Sequence, residues 1–310
     1  MKARKSTYLV MMCIFLIGSG FSTYKMLSEA EEFKLNRKKY TESVIFTKGV
    51  LDPVSWIPVG SWEEKLAKAE VFKNRSNRAH DSILRNGLIT TVAAFFFLLF
   101  TCVLFLGKIE IWRYIAGSLL IVSMVALVIG VSTPMMEMAA FNTDLTIPFN
   151  FAEVSDNLPA VSTSILELLS FDVTFDGRMY YFYQSKSIMG LIKILFVQGN
   201  YPVGSAILLF SLILPIIKIA CSFGQLLSPK VAANRVVHFI TNYLGKWSMA
   251  DVFVVALFLG YFSFANLNVG IETQTEALFG LYCFGSYVVL SLLSTHFINM
   301  ALKTEKRKHV

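Results

Sequence analysis

The chain has 310 residues, 55% of them hydrophobic and only 16% charged, with a mean hydropathy of +0.58; this indicates several membrane spans, not one water-soluble core. The net charge of +7 does not point to nucleic acid, because the basic residues cluster beside apolar segments, where they set membrane orientation. Cys13, Cys102, Cys221 and Cys283 lie far apart with no CxxC, and His80, His238, His296 and His309 are scattered. No GxxxxGK[ST] or GxSxG run occurs either, so the pattern argues against a zinc ribbon, a nucleotide hydrolase and a serine hydrolase. Neither an enzyme activity nor a cofactor is expected.

In chain order, apolar runs predict six spans at about 7–27, 88–107, 114–133, 202–223, 248–265 and 278–298. The first resembles a signal peptide in outline. No clear cleavage site follows, however, and Tyr24-Lys25 reads as an interfacial anchor, so an uncleaved helix is expected. Residues 28–46 and 61–86 are rich in Glu, Lys, Arg, Ala and Leu, and predict two helices that extend spans one and two. The turn between them, 52–62, is apolar, with Trp56, Trp62, Pro53 and Pro58. It packs within the hairpin, or it touches the membrane surface or a partner.

The loop 134–200 has the opposite character, with β-rich runs Phe171–Phe175 and Arg178–Tyr183 on either side of Asp176-Gly177. An Asp-Gly pair in that setting predicts a β-hairpin turn, with 147–151 as a third strand. Ser187–Phe196 predicts a helix lying along the surface before span four, and Val231–Tyr243 a second such helix after it. The basic residues Lys2, Arg4, Lys5, Lys108, Arg113, Lys230, Arg235, Lys246, Lys303, Lys306, Arg307 and Lys308 fall on one side of six spans, which puts both termini in the cytoplasm. The loop 134–200, with seven acids against three bases, falls on the other side. The glycines Gly117, Gly130, Gly260 and Gly285 are candidates for close helix approach.

Two charged residues inside spans are the sharpest functional signal. Lys218 follows Leu214-Pro215-Ile216-Ile217, and Asp251 ends Gly245-Lys246-Trp247-Ser248-Met249-Ala250. A charge in a span costs roughly 2.5–3.5 kcal/mol on insertion scales. Counted from Pro202, Lys218 lies about 24 Å into its helix, roughly 6 Å short of the far face of a core about 30 Å thick. Asp251, counted from Trp247, lies about 6 Å from that same face. The two therefore share a depth on consecutive antiparallel helices and can pair. In the alternative, Lys218 snorkels to the headgroups and Asp251 sits on a helix N-terminus. Ser248 adds a hydroxyl nearby, and Glu137, three residues after Pro134, sits at the outer mouth, either as part of a path or as an ordinary interfacial carboxylate. Pro134 and Pro215 are expected to kink or end their helices.

The stretch 111–298 resembles one module of the paraquat-inducible protein A (PqiA/LetA) family. The residues that carry the resemblance are Ser132–Met136, Ser187–Ile192, Leu214–Lys218 and, most specifically, Leu244–Leu257 with Gly245 and Trp247. It implies a four-span membrane domain with an extracytoplasmic sheet, placed beside MCE proteins, which form lipid-conducting tubes between the membranes of Gram-negative bacteria. The chain departs from that pattern in having one module, no CxxC ribbon and an added N-terminal hairpin.

The expected fold class is thus an all-α polytopic membrane protein with a small extracytoplasmic antiparallel sheet. Residues 1–107 form a hairpin with the extracytoplasmic segment 28–87, residues 108–300 a PqiA/LetA-like four-span domain with a β insertion at 134–186, and residues 301–310 a basic cytoplasmic tail. The expected function is an inner-membrane component of lipid transport. It would exchange phospholipid with a periplasmic MCE-domain partner through a lipid-sized cavity open to the outer leaflet, with proton coupling through Lys218 and Asp251. The competing expectation is a scaffold or sensor in which those charges are static.

Overall fold

The computed structural model describes residues 2–46, 61–108, 110–149, 171–228, 231, 234–241 and 271–306. Two long helices, α1 (Lys2–Ser43) and α2 (Ser61–Phe105), run antiparallel through the N-terminal third. At about 1.5 Å per residue they reach roughly 63 and 68 Å, twice the thickness of a hydrocarbon core of about 30 Å. Each is apolar at one end and charged at the other, as a helix that leaves a bilayer and continues into water must be. Within the apolar half, Phe15 stacks on Phe97 at 4.8 Å, and Ser22 Oγ lies 2.7 Å from Thr90 Oγ1 and donates to the Asn86 carbonyl. Hydroxyl bonds of this kind join helices where lipid offers no competing partner. In the charged half, Ser82 donates to Glu29, and Phe33 packs on His80.

Three further helices are long and apolar enough to cross a membrane: α3 (Ile111–Ser132), α5 (Tyr201–Leu227) and α7 (Phe279–Lys306). With α1 and α2 they make five candidate spans among the described residues, and the predicted span 248–265 lies outside those residues. Of these three, α3 and α7 pack most closely. A Cβ at Gly130 would sit 2.6 Å from the Phe284 nitrogen, so glycine is what lets the two backbones meet there. Leu127, Val131, Phe284, Tyr287 and Ile219 of α5 form the core at that contact.

Pro134 ends α3. The chain turns extended at Thr133, and the two carbonyls beyond it are met by the approach to α7 and its first turn: Gly280 N donates to Pro134 O at 3.1 Å and Leu278 N to Met135 O at 2.8 Å. The chain then enters β1 (Met136–Phe149), which pairs antiparallel with β2 (Phe171–Lys186) on one side and β3 (Glu272–Ala277) on the other.

The predicted turn at Asp176-Gly177 is a correction. Phe175 pairs with Leu145 and Arg178 with Thr143, so both flanking runs belong to one strand, β2, and their partner is β1. The Asp-Gly pair forms a bulge. Gly177, at φ +89°, faces Asp144, at φ +52°, and donates its N–H to Asp144 Oδ1 at 2.8 Å. The positive φ that the pair signals is real, but it kinks a continuous strand instead of reversing the chain. The expected strand at 147–151 is the far end of β1 over residues 147–149, with the remainder outside the described residues.

One face of the sheet lies against the charged halves of α1 and α2. Tyr40, Val44, Trp62 and Ala69 pack there on Phe141, Phe175, Met179 and Tyr180. Tyr180 N donates to Val44 O at 3.0 Å, and Trp62 Nε1 donates to the Asp176 carbonyl at 3.0 Å. After β2, Ser187 caps α4 (Ile188–Val197) by accepting from Gly190 N at 3.2 Å. The helix buries Ile188 and Ile192 and exposes Met189, as a surface-lying amphipathic helix does. Asn234 caps a short helix, α6 (Arg235–Phe239), in the region of the second predicted interfacial helix; Val236 and Phe239 are exposed on it.

Candidate functional site

The span α5 is not a regular helix. Its middle, Leu209–Ile213, is a π turn that ends two residues before Pro215. Proline has no N–H to offer the carbonyl four residues back, and a π turn absorbs the mismatch without breaking the helix. Pro215 therefore reshapes its helix, where Pro134 ends one.

Lys218 follows within one turn and is only 6% exposed. It does not stand alone. Ser211, Ser222 and Gln225 are buried on the same helix, so four polar groups recur at spacings of seven, four and three residues. In the regular part of the helix, Lys218, Ser222 and Gln225 draw one line, about a quarter turn from the apolar row Ile219, Phe223 and Leu226 that packs toward α3 and α7. Among the described residues, Ser222 Oγ and Gln225 Nε2 meet no hydrogen-bond partner. A buried polar group left unmet costs about 1–3 kcal/mol, so these two, beside a buried lysine, single out this face of the span. The expected partners Asp251 and Ser248, together with Gly245 and Trp247, lie outside the described residues. The sequence reading singled out Lys218 and overlooked the line; the polar period i, i+4, i+7 in 218–225 was the available signal.

Glu137 belongs to a different cluster. It is 6% exposed and receives both Arg37 Nε, at 2.9 Å, and Arg37 Nη2, at 2.8 Å, on one carboxylate oxygen. It is therefore neither an open interfacial carboxylate nor a neighbour of Lys218. It stands at the sheet end of the bundle, whereas Lys218 is 17 residues into α5, about 26 Å along the helix. Burial lifts the Glu137 carboxyl above its ordinary range, Arg37 pulls it back, and Glu276, its cross-strand partner, adds to the rise. Burial works against the Arg37 charge as well, but Glu137, Tyr180 and Tyr183 outweigh it and hold the guanidinium firmly protonated. Burial and Tyr180 push the Tyr40 hydroxyl up to about 12, while Arg37 and Arg178 oppose the rise. One turn earlier on α1, Lys34 Nζ donates to Ser187 Oγ at 3.0 Å, and burial lowers the Lys34 ammonium below its usual range. The hairpin thus grips both the first residues of the sheet and the cap of α4. Arg37 and Lys34 escaped the sequence reading because they lie in a helix of balanced charge, 100 and 153 residues from their partners.

An apolar cavity of about 590 Å³ opens between the hairpin and the α3–α7 pair, bounded by residues of α1, α2, α3 and α7.

Residues 161–303 match the family model of paraquat-inducible protein A. No curated protein and no solved structure matches the chain. The PqiA match begins further along the chain than the resemblance read from the sequence, and it takes in the motifs at 187–192, 214–218 and 244–257. The polar line of α5 and Asp251 therefore lie inside the PqiA segment. Pro134, Glu137 and Arg37 lie outside it, as does the whole N-terminal hairpin. The chain is a multi-span membrane protein in which the segment similar to paraquat-inducible protein A is joined to a helical hairpin through buried polar contacts.

Proposed function

We propose that this chain is the integral inner-membrane component of a lipid transport system, passing phospholipid between that membrane and a periplasmic MCE-type partner. One observation carries the reading: the PqiA segment contains a membrane helix with Lys218, Ser222 and Gln225 buried in a single line. A lysine kept at that depth is costly unless it serves a path or a partner. Paired with Asp251 and joined by Ser248, it would take up and release a proton as the bundle changes shape, supplying energy without a nucleotide site. The charge pattern supports a cytoplasmic position for both termini and a periplasmic one for the sheet.

A scaffold or sensor is the second reading, and the rigid grip of α1 on the sheet favours it, since a fixed platform suits docking. Purification from gently solubilised membranes, with lipid analysis of the same sample, separates the two. An MCE-domain protein recovered together with phospholipid supports transport, and then Asp251→Asn abolishes function while the protein still inserts. Recovery without either one, or a mild effect of Asp251→Asn, supports the scaffold.

A further inference from the structure

The cavity beside the hairpin has dimensions that identify an occupant. Its wall on α2 runs from Gly87 to Leu98 and its wall on α7 from Phe279 to Leu290, each about 17 Å long. On α3 it ends at Ile129, three residues from the sheet-side end of that helix. All three helices set the cavity in the sheet-side half of the membrane, and its height is close to the roughly 15 Å depth of one leaflet. Its top is shut where the Phe279 ring rests on Gly87, in the space a Cβ would take. Its back is Ala94, Val122 and Ala126. Phe95 and Tyr282 line it and are still 62% and 60% exposed, so the cavity opens sideways between α2 and α7.

The wall makes little polar demand. Thr91 Oγ1 donates to Gly87 O at 2.9 Å, and Thr90 Oγ1 to Asn86 O at 2.9 Å, so both threonines are satisfied by their own helix. Water has too few partners in such a space, and leaving it empty would forfeit the packing contacts of every residue around it. We infer that this slot is a binding site for one acyl chain of a phospholipid in the sheet-side leaflet, entering between Phe95 and Tyr282 with its headgroup left outside the Phe279 closure. The ligand's identity deepens the lipid reading proposed above and rests on it; the site itself rests on geometry. Its front wall is α2, so the hairpin outside the PqiA segment would make half of it.

The test uses the full chain in nanodiscs of phosphatidylethanolamine and phosphatidylglycerol, doped with phosphatidylcholine bearing a photoreactive group along one acyl chain. After illumination, labelled peptides are located by mass spectrometry. The expected result is label concentrated on 88–98 and 279–290 and reduced about tenfold by Ala126→Trp, which fills the back of the slot, while label at the lipid-facing Val103 is unchanged. Should Ala126→Trp fail to fold, Ala94→Phe fills the same space from α2. Label spread evenly over all lipid-facing spans, or indifferent to a folded filling variant, overturns the site. Slot labelling without an MCE partner or lipid transfer would leave the site standing and the transport reading refuted. Label confined to other parts of the bundle, with transfer intact, would do the reverse.

Discussion

Two regions of this molecule bury charged and polar groups, and they differ in whether those groups tie distant segments together or run along one helix. At the sheet, Arg37 meets Glu137, Lys34 meets Ser187 and Trp62 meets the Asp176 carbonyl, and these pairs join segments far apart in sequence, although the hydroxyls of Tyr183, Ser185 and Thr275 there meet no partner among the described residues. Along α5, the described neighbours of Ser222 Oγ and Gln225 Nε2 give them none. Closed pairs between distant segments fix an arrangement. Polar groups strung down a membrane helix keep a surface available. On the reading proposed above, the hairpin is architecture and α5 carries the chemistry.

The sharpest break of that contrast is Lys218→Met. It should abolish transport in a lipid-transfer or envelope-integrity assay while expression and membrane insertion stay near normal; a stable but fully active variant would return α5 to architecture. Arg37→Met should be the larger blow to stability, about 3–5 kcal/mol, because it leaves Glu137 buried without its counter-charge. Limited proteolysis of the hairpin would read that loss, and adding Glu137→Met should recover most of it. Ser222→Ala should cost less than about 1 kcal/mol in stability, since its hydroxyl meets no partner among the described residues.

The pH dependence sharpens the same comparison. Because the folded state raises the Glu137 carboxyl above its unfolded value, its protonated form favours folding. Its contribution should be largest below the ordinary glutamate range and fall as pH rises through the raised value. Hairpin protection measured by hydrogen exchange should follow that course, and Glu137→Gln should flatten it. A modest effect is expected from Trp62→Phe, which keeps the ring contact with Phe175 and loses one bond, about 0.5–1.5 kcal/mol.

What could be read from the sequence follows from the range of the forces involved. The apolar runs of α1, α2, α3, α5 and α7 declare themselves because membrane insertion depends on local composition, and the depth of Lys218 follows from counting along one helix. The partner of Glu137 does not, since nothing near residue 37 distinguishes that arginine from its exposed neighbours. Asp176-Gly177 misleads because the local signal specifies a positive φ but not whether the chain reverses there; Asp144, on the opposite strand, decides that. The strand Glu272–Ala277 is equally silent. Its polar sequence lacks strand alternation, and it joins the sheet through Leu278 and its pairing with the start of β1.

The lengths of α1 and α2 have a mechanical consequence. A bilayer core uses about 30 Å of each helix, and much of the remaining 30 Å or so stands clear of it as a paired shaft with the sheet bolted to its side. Helices clamped to a sheet in this way bend little, so whatever meets the sheet meets it at a set height. The shaft is a ruler graduated in turns of about 5.4 Å. Removing one turn from each helix, above the membrane and below Arg37, would lower the platform by one graduation while keeping its face.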